Sequence, residues 1–411
     1  MASSRLSLRY VRRFTTVAGD ATTTVDVAAP SSGKISVSKA KSILRKVHDP
    51  DKALEIYSNV SDHSVSPASS HYAQELTVRR LAKCSRFSDI EALIESQKND
   101  PKIKEEPFYS NLIRSYGRAS MIDHAMRAFE QMDQYGTPRS AVSFNALLTA
   151  CLHSQKFDKV PQLFDEIPQR YKNIIPDKIS YGVLIKSYCD SGSPEKAIEI
   201  MRQMESKGME VTTIAFTTIL GSLYKKGELE VAESLWKEMV KKGCELDNAA
   251  YNVRLMSAQK ESPERVNELI DEMISVGLKP DTISYNYLMT AYCEKGMLEE
   301  AKKVYGGLQV NSCAPNAATF RTLIFHLCYS GLYEQGYAIF KKSVSMNKIP
   351  DFNTLQHLVV GLVRNKKTDD AKGLIRTVKK KFPPSFLNAW KKLEEELELY
   401  SKTDASSSSS A

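Results

Sequence analysis

The sequence predicts an all-α protein, a superhelical α-solenoid of roughly nine to ten helix-turn-helix repeats of about 35 residues. Three observations carry that expectation. One phrase is written twice, PDKISYGVLIKSYCDSGSPEKAIEIM from Pro176 and PDTISYNYLMTAYCEKGMLEEAKKVY from Pro280. An aromatic anchor within it recurs at Tyr72, Tyr109, Phe144, Tyr181, Phe216, Tyr251, Tyr285 and Phe320, with Leu355 in the next slot. The gaps are 37, 35, 37, 35, 35, 34, 35 and 35. Around each anchor the apolar residues follow a helical period.

The spacing inside one unit identifies its elements. Tyr285, Leu288, Met289 and Tyr292 fall at i, i+3, i+4 and i+7, one stripe of a helix. Gly296 breaks the pattern, and Leu298, Ala301, Tyr305 and Leu308 begin a second stripe. Each unit is therefore a helical hairpin. A small residue stands at one position of the second helix in most units: Ala53, Ala125, Ala197, Ala232, Ala301 and Ala371, with Val160, Val266 and Gly336 in other units. A lone hairpin cannot bury both stripes, so the units stack, and their first helices line a groove where function is expected. The array is assigned to residues 34–384, with clear repeats over 106–351 and degenerate ones over 34–105 and 352–384.

The chain has 411 residues, 42% of them apolar, and no run approaches the 18 or more apolar residues of a membrane span. Lys plus Arg total 57 against 49 for Asp plus Glu, a net charge of +8 that is compatible with an anionic partner. Of the seven cysteines, no two form a C-x-x-C. Cys151, Cys189, Cys293 and Cys328 sit near the ends of first helices, where a small buried hydrophobe fits; buried thiols are expected rather than metal ligands or disulfides. No cofactor or metal is expected.

Residues 1–33 read as a targeting segment and linker. In MASSRLSLRYVRRFTTVAG, Arg5, Arg9, Arg12 and Arg13 share one helical face and Leu6, Leu8, Tyr10, Val11 and Phe14 the other, with no acid before Asp20. That is the pattern of a mitochondrial matrix presequence, with chloroplast import or a plain basic tail as the alternatives. Residues 385–400, containing FLNAWKKLEEELELY, read as a capping helix, and 401–411 as a serine-rich tail unable to fold. There is no H-E-x-x-H, no phosphate-cradling glycine loop and no G-x-S-x-G, so catalysis is not expected.

The phrases VSFNALLTAC, ISYGVLIKSYCDSG, IAFTTILGSLYKKGELEVAESLWKEMVKKG and ISYNYLMTAYCEKGMLEEAKKVY resemble the pentatricopeptide repeat family, in its plain class of 35-residue units of the plant organellar type. The Trp-x-x-Leu-Gly-x-x-Tyr pattern of tetratricopeptide repeats is missing. The resemblance implies a right-handed superhelix that binds single-stranded RNA, one base per repeat, each read by the residue after the anchor and the last residue of the unit. The implied pairs are Asn145 with Asp177, Thr217 with Asp247, Asn252 with Asp281, and Asn286 with Asn316, favouring U, G, U and a pyrimidine. Val142, Ile179, Ile214 and Ile283 would sandwich the bases, the slot holding alanine at Ala249 and Ala318. Arg118, Lys225 and Lys260 would contact phosphates, while His153, Asp190, Glu294 and Tyr329 depart from that pattern.

Ser110 with Ser140, Gly182 with Thr212, and Arg321 with Asp351 do not translate, so the register is interrupted. Without RNA, Asp177, Asp247, Asp281 and Asp351 read as N-caps, each worth about 1 kcal/mol. Asn145 and Asn286 then read as exposed first-turn residues, and Tyr188 and Tyr292 as core. The family's editing members add a zinc deaminase and its nucleases a further domain, and neither signature is expected here. Two functions follow from the resemblance. One is a non-catalytic mitochondrial factor holding organellar mRNA in its groove for RNA metabolism or translation. The other is a structural component of the mitochondrial ribosome's small subunit, contacting rRNA and mitoribosomal proteins.

Overall fold

The structure of the chain, a computed structural model, describes residues 34–45, 47, 49–60, 67–381 and 387–399. The expected presequence and linker of residues 1–33 and the tail of 401–411 lie outside the described residues. Among those described there are ten helical hairpins and one further helix. The first four hairpins pair α1 (Val37–Leu44) with α2 (Pro50–Ser58), α3 (Pro67–Lys83) with α4 (Phe87–Gln97), α5 (Glu106–Arg118) with α6 (Ile122–Glu130), and α7 (Ala141–His153) with α8 (Lys159–Arg170). The next three pair α9 (Lys178–Asp190) with α10 (Pro194–Ser206), α11 (Thr213–Lys226) with α12 (Leu229–Lys241), and α13 (Asn248–Ala258) with α14 (Pro263–Ser275). The last three pair α15 (Thr282–Glu294) with α16 (Leu298–Gly307), α17 (Ala317–Tyr329) with α18 (Tyr333–Ser345), and α19 (Phe352–Arg364) with α20 (Thr368–Lys381), followed by α21 (Asn388–Glu396).

The helices form two compact units, one ending at Pro280 and one beginning at Asp281. In the former, α1, α3, α5, α7, α9, α11 and α13 pack in succession as one layer. Each of α6, α8 and α10 packs on its own first helix and on the next one. In the latter, α15, α17 and α19 form the corresponding layer, with α16 and α18 seated in the same way. This is the all-α stack that the period implies.

The core follows the two stripes. Tyr109, Phe144, Tyr181, Phe216, Tyr251, Phe320 and Leu355 are buried, and Tyr285 is half-buried. Every small residue of the second-helix slot is buried, from Ala53 to Ala371, because the first helix approaches there. The tightest approach of a glycine to another backbone lies between first helices: a Cβ on Gly117 of α5 would stand 2.3 Å from the Cα of Ala150 on α7. Only glycine permits that backbone contact. Gly296 ends the first helix of its unit in the left-handed region, φ 75°, which explains the break in the periodic pattern.

Cys151, Cys189, Cys293 and Cys328 are buried, whereas Cys84 is exposed. Burial pushes the thiols up, to about 11 for Cys151 and about 12 for the other three. The aspartates before the first helices are N-caps: Asp177, Asp247, Asp281 and Asp351 each accept from first-turn backbone N–H groups. On α21, Trp390 is buried and meets Phe352 edge-on at 4.8 Å between ring centres.

Candidate nucleic-acid interface

The candidate site is one face of the first-helix layer in each unit, and it is built by the caps. Asp177 ends one unit in extended conformation, and its Oδ1 accepts from the backbone N–H groups of Ile179 and Ser180, both at 2.9 Å. The same oxygen accepts from Asn145 Nδ2 at 3.0 Å, reaching across from α7 to α9. Ser180 then donates its hydroxyl to Asn145 Oδ1 at 2.6 Å. The asparagine amide is held from both ends, which fixes its orientation.

The two members of the pair thus meet, but Asn145 is no exposed first-turn residue. It is 4% exposed, in the second turn of α7, covered by the next repeat. Burial raises the Asp177 carboxyl, and hydrogen bonds from Ser180, Asn145 and Ile179 outweigh this and hold it below the ordinary carboxylate range. It is ionised at neutral pH, and its Oδ2 is not engaged by the cap.

Asn286, Asn316 and Thr319 repeat this clamp in the second unit. Asn286 Nδ2 donates to Asn316 Oδ1 at 3.2 Å, and Thr319 Oγ1 donates to Asn286 Oδ1 at 2.8 Å. Asn316 Oδ1 also takes the Thr319 backbone N–H at 3.0 Å. The two clamps have one shape and opposite polarity. The atom left over on Asp177 is a carboxylate oxygen, an acceptor, whereas on Asn316 it is an amide nitrogen, a donor.

The other pairs are built differently. Asp247 caps α13 through the Ala250 N–H at 2.8 Å, but Ala250 has no hydroxyl to close a clamp. Thr217 is half-buried, and its enclosed hydroxyl has no partner among the described residues. Asn252 is buried in the first unit and Asp281 caps α15 in the second; each is placed within its own unit.

The untranslatable positions have physical causes. Ser140 is bound by Glu106 of the preceding unit. Its N–H donates to Glu106 Oε1 and its hydroxyl to Oε2, both at 2.7 Å, and the Ser143 N–H adds a third bond at 2.9 Å. Burial raises the Glu106 carboxyl, and these bonds more than offset that. Ser110, its pairing partner by register, is fully buried, and its hydroxyl has no partner among the described residues. Gly182 faces open space, with no atom within 4 Å of an added Cβ.

The sandwich slot holds exposed aliphatic side chains: Val142 is 41%, Ile179 60%, Ile214 77% and Ile283 46% accessible. Single exposed apolar residues are ordinary, but the same slot at Val142, Ile179 and Ile214 makes a periodic apolar edge beside the polar residues of the first unit, and Ile283 holds that slot in the second. Lys225 and Lys260 are exposed and make no ion pair among the described residues. Arg118, in the same slot, is engaged by Glu75 at 3.2 Å. Tyr188 and Tyr292 are half-buried.

Three residues that complete these sites went unread in the sequence: Ser180, Thr319 and Glu106. A signal existed for the first two. The residue before the anchor is Ser143, Ser180, Ser284, Thr319 or Thr354 in five units and alanine at 215 and 250. Glu106 had none, since its target lies a full unit away.

Stacked helical hairpins, with polar cap clamps joining first helices at Asn145–Asp177 and Asn286–Asn316, define the helical-hairpin repeat class. The PPR repeat family profile matches residues 211–258 and 280–329, and the profile for the pentacotripeptide-repeat region of PRORP matches residues 68–232. The chain is 85% identical to the Arabidopsis thaliana small ribosomal subunit protein mL103 (rPPR7), over 100% of this chain and 98% of that one. It is 69% identical to the mitochondrial pentatricopeptide repeat-containing protein At2g18520 of the same plant, over 100% and 96%. Among solved structures, the pentatricopeptide repeat protein PPR10 from maize is 17% identical, covering 88% of this chain and 59% of that one, with a TM-score of 0.44. The chain belongs to the pentatricopeptide repeat family.

Proposed function

We propose that this chain is a non-catalytic, mitochondrial RNA-binding repeat protein that holds single-stranded RNA against its first-helix layer. The observation that carries the reading is the clamp at Asn145, Asp177 and Ser180, repeated at Asn286, Asn316 and Thr319. An amide locked from both sides leaves one defined acceptor at Asp177 and one defined donor at Asn316, and a base edge is the ligand that matches such an atom. The exposed aliphatic edge at Val142, Ile179, Ile214 and Ile283 offers the flanking apolar contact. Lys225 and Lys260 offer charge to the phosphates. In this reading Asn145 with Asp177, Thr217 with Asp247, and Asn286 with Asn316 are base-reading pairs, and Asn252 and Asp281 are base-reading residues, each of its own unit.

A second reading sets that RNA inside a particle: the protein is a structural component of the small subunit of the mitochondrial ribosome, contacting rRNA and ribosomal proteins. The 85% identity over the whole chain to a small ribosomal subunit protein favours this setting. The interrupted register agrees with it, because an rRNA segment held by many neighbours needs little selection by any one of them. Mitochondrial residence is supported by the arginine-rich residues 1–19 and by the name of the 69% identical relative. Sedimentation of a mitochondrial lysate, with and without magnesium chelation, separates the two. Co-migration with small-subunit proteins that shifts on chelation supports the ribosomal component. A small species or a light ribonucleoprotein supports a free transcript factor, and a species bearing no RNA overturns both.

A further inference from the structure

On α17, Phe320, Leu323, Ile324, Leu327 and Cys328 face the core, and a second stripe faces solvent. Arg321, Phe325 and Tyr329 stand on it at i, i+4 and i+8, all exposed. Phe325 is 43% accessible and Tyr329 84%. His357 of α19 adds a third ring. Its Nδ1 lies 2.7 Å from the Asn353 carbonyl oxygen, which orients the imidazole, and it meets Phe325 edge-on at 6.2 Å between ring centres. The aromatic surface therefore spans two successive first helices of one unit. The side chains of Arg321 and Tyr329 have no hydrogen-bond or ion-pair partner among the described residues.

Phe325 and Tyr329 lie five and nine residues after the anchor Phe320, and no other unit from α5 to α19 holds Phe, Tyr or Trp in either slot. The rings appear where the other devices for holding a base are missing. The sandwich slot of this unit is Ala318, too small to cover a base, and Arg321 with Asp351 makes no translatable pair. The preceding pair is intact: Asn316 caps α17 and is clamped to Asn286. A strand held at that clamp brings its next nucleotide to α17.

We propose that Phe325 and Tyr329, with the guanidinium of Arg321, form a stacking platform for an unread base of single-stranded RNA. The inference rests on the RNA-binding reading above and gives this repeat a base contact that is indifferent to sequence. Every base has a π-face, so a phenyl or phenol ring holds any of them, and a guanidinium plane stacks in the same way. Charge favours a nucleic acid over an apolar protein segment as the occupant. Arg321 sits on the same stripe without a counter-ion, and a neutral partner would cover that cation unpaired, whereas an anionic strand brings its own countercharge.

The test uses the full chain and two fluorescein-labelled single-stranded RNAs, titrated by anisotropy across a potassium chloride series. One matches the predicted register, and the other is identical but abasic at the nucleotide after the pyrimidine of the Asn286–Asn316 pair. Y329A is expected to raise the Kd of the intact RNA roughly tenfold and to leave the log Kd against log salt slope unchanged, because no phosphate contact is lost. The abasic RNA should cost the unmodified chain a similar factor and cost Y329A nothing further. Y329W should bind as the unmodified chain does, whereas Y329L, with bulk but no π-face, should bind as Y329A does. Tyr329 is almost wholly exposed, so these variants keep the test valid should F325A fail to fold. Unchanged RNA binding by Y329A, full rescue by Y329L, or indifference of the unmodified chain to the abasic position would overturn the inference while leaving base reading intact. If Y329A binds RNA normally but no longer sediments with small-subunit proteins, the face belongs to a protein and the inference is likewise overturned. No binding of either RNA by the unmodified chain would overturn the RNA reading and this inference with it.

Discussion

Ser180 donates its hydroxyl to Asn145 Oδ1 at 2.6 Å, from the first turn of α9 to the second turn of α7, so this repeat sets the amide of the one before it, as Thr319 does for Asn286. The Asn145–Asp177 pair is thereby a triad whose third member belongs to the cap.

Removing that hydroxyl should cost more than one ordinary hydrogen bond. In S180A the buried Asn145 Oδ1 loses its donor, and an unsatisfied buried acceptor costs about 1–3 kcal/mol. Urea unfolding of S180A should show that loss, whereas S191A, an exposed serine bonded only to its own helix, should stay within about 0.5 kcal/mol.

Converting one clamp to the polarity of the other should change what it reads. D177N replaces the free carboxylate oxygen by an amide nitrogen and reproduces Asn316. On the RNA-binding reading, the preference for U at that position relaxes toward either pyrimidine, measured by titrating RNAs varied at that base. Asparagine caps helices as well as aspartate does, so the stability loss should be under about 1 kcal/mol. That loss has a pH signature. The Asp177 carboxyl is held below its ordinary 3.8, so its stabilisation is complete above that value and disappears as pH falls through the lowered one. The Tm gap between wild type and D177N should be steady near neutrality and close below pH about 4.

Gly117→Ala should be among the most damaging small changes to the stack. Its new Cβ would fall 2.3 Å from Ala150 Cα, a backbone atom that cannot rotate away, so α5 and α7 must separate. Overpacking of this kind costs about 1–3 kcal/mol or more. Gly182→Ala, with open space around it, should be neutral or slightly stabilising in thermal melts.

Successive second helices are tied by charge. Glu238 of α12 pairs with Arg202 of α10 and with Lys242, and Lys242 also pairs with Glu205. The hydrogen bond from Arg202 is the main cause that lowers the Glu238 carboxyl from 4.5 to about 2. The pairs are partly exposed and screened, so E238Q should cost about 1 kcal/mol at low salt and less at high salt. The folded-state value is depressed, so the contribution is present above pH 4.5 and is lost as pH falls toward about 2. Tm measured against pH for wild type and E238Q checks both points.

Thiol reactivity should sort by burial. Cys84 is exposed and should react first with a disulfide reagent, while Cys151, Cys189, Cys293 and Cys328, with thiols pushed to about 11 or 12, should react only on unfolding. Mass mapping of the labelled peptides reads this directly. Early labelling of Cys189 would contradict the burial of α9 against its neighbours.

The sequence by itself determined what depends on neighbours within a turn or two. The anchors from Tyr109 to Leu355, the small slot from Ala53 to Ala371, the break at Gly296 and the caps at Asp177 and Asp281 are all written in i, i+3 and i+4 spacing, which any helix must obey. The tertiary structure decided which polar atoms meet across repeats. That Asn145 is buried rather than exposed, that Ser180 rather than water fills its carbonyl, that Glu106 caps the following unit and that Glu75 claims Arg118 all join residues about a repeat or more apart. Local spacing cannot specify such partners, because the distance between them is set by how closely first helices stack, and that closeness rests on contacts such as Gly117 against Ala150.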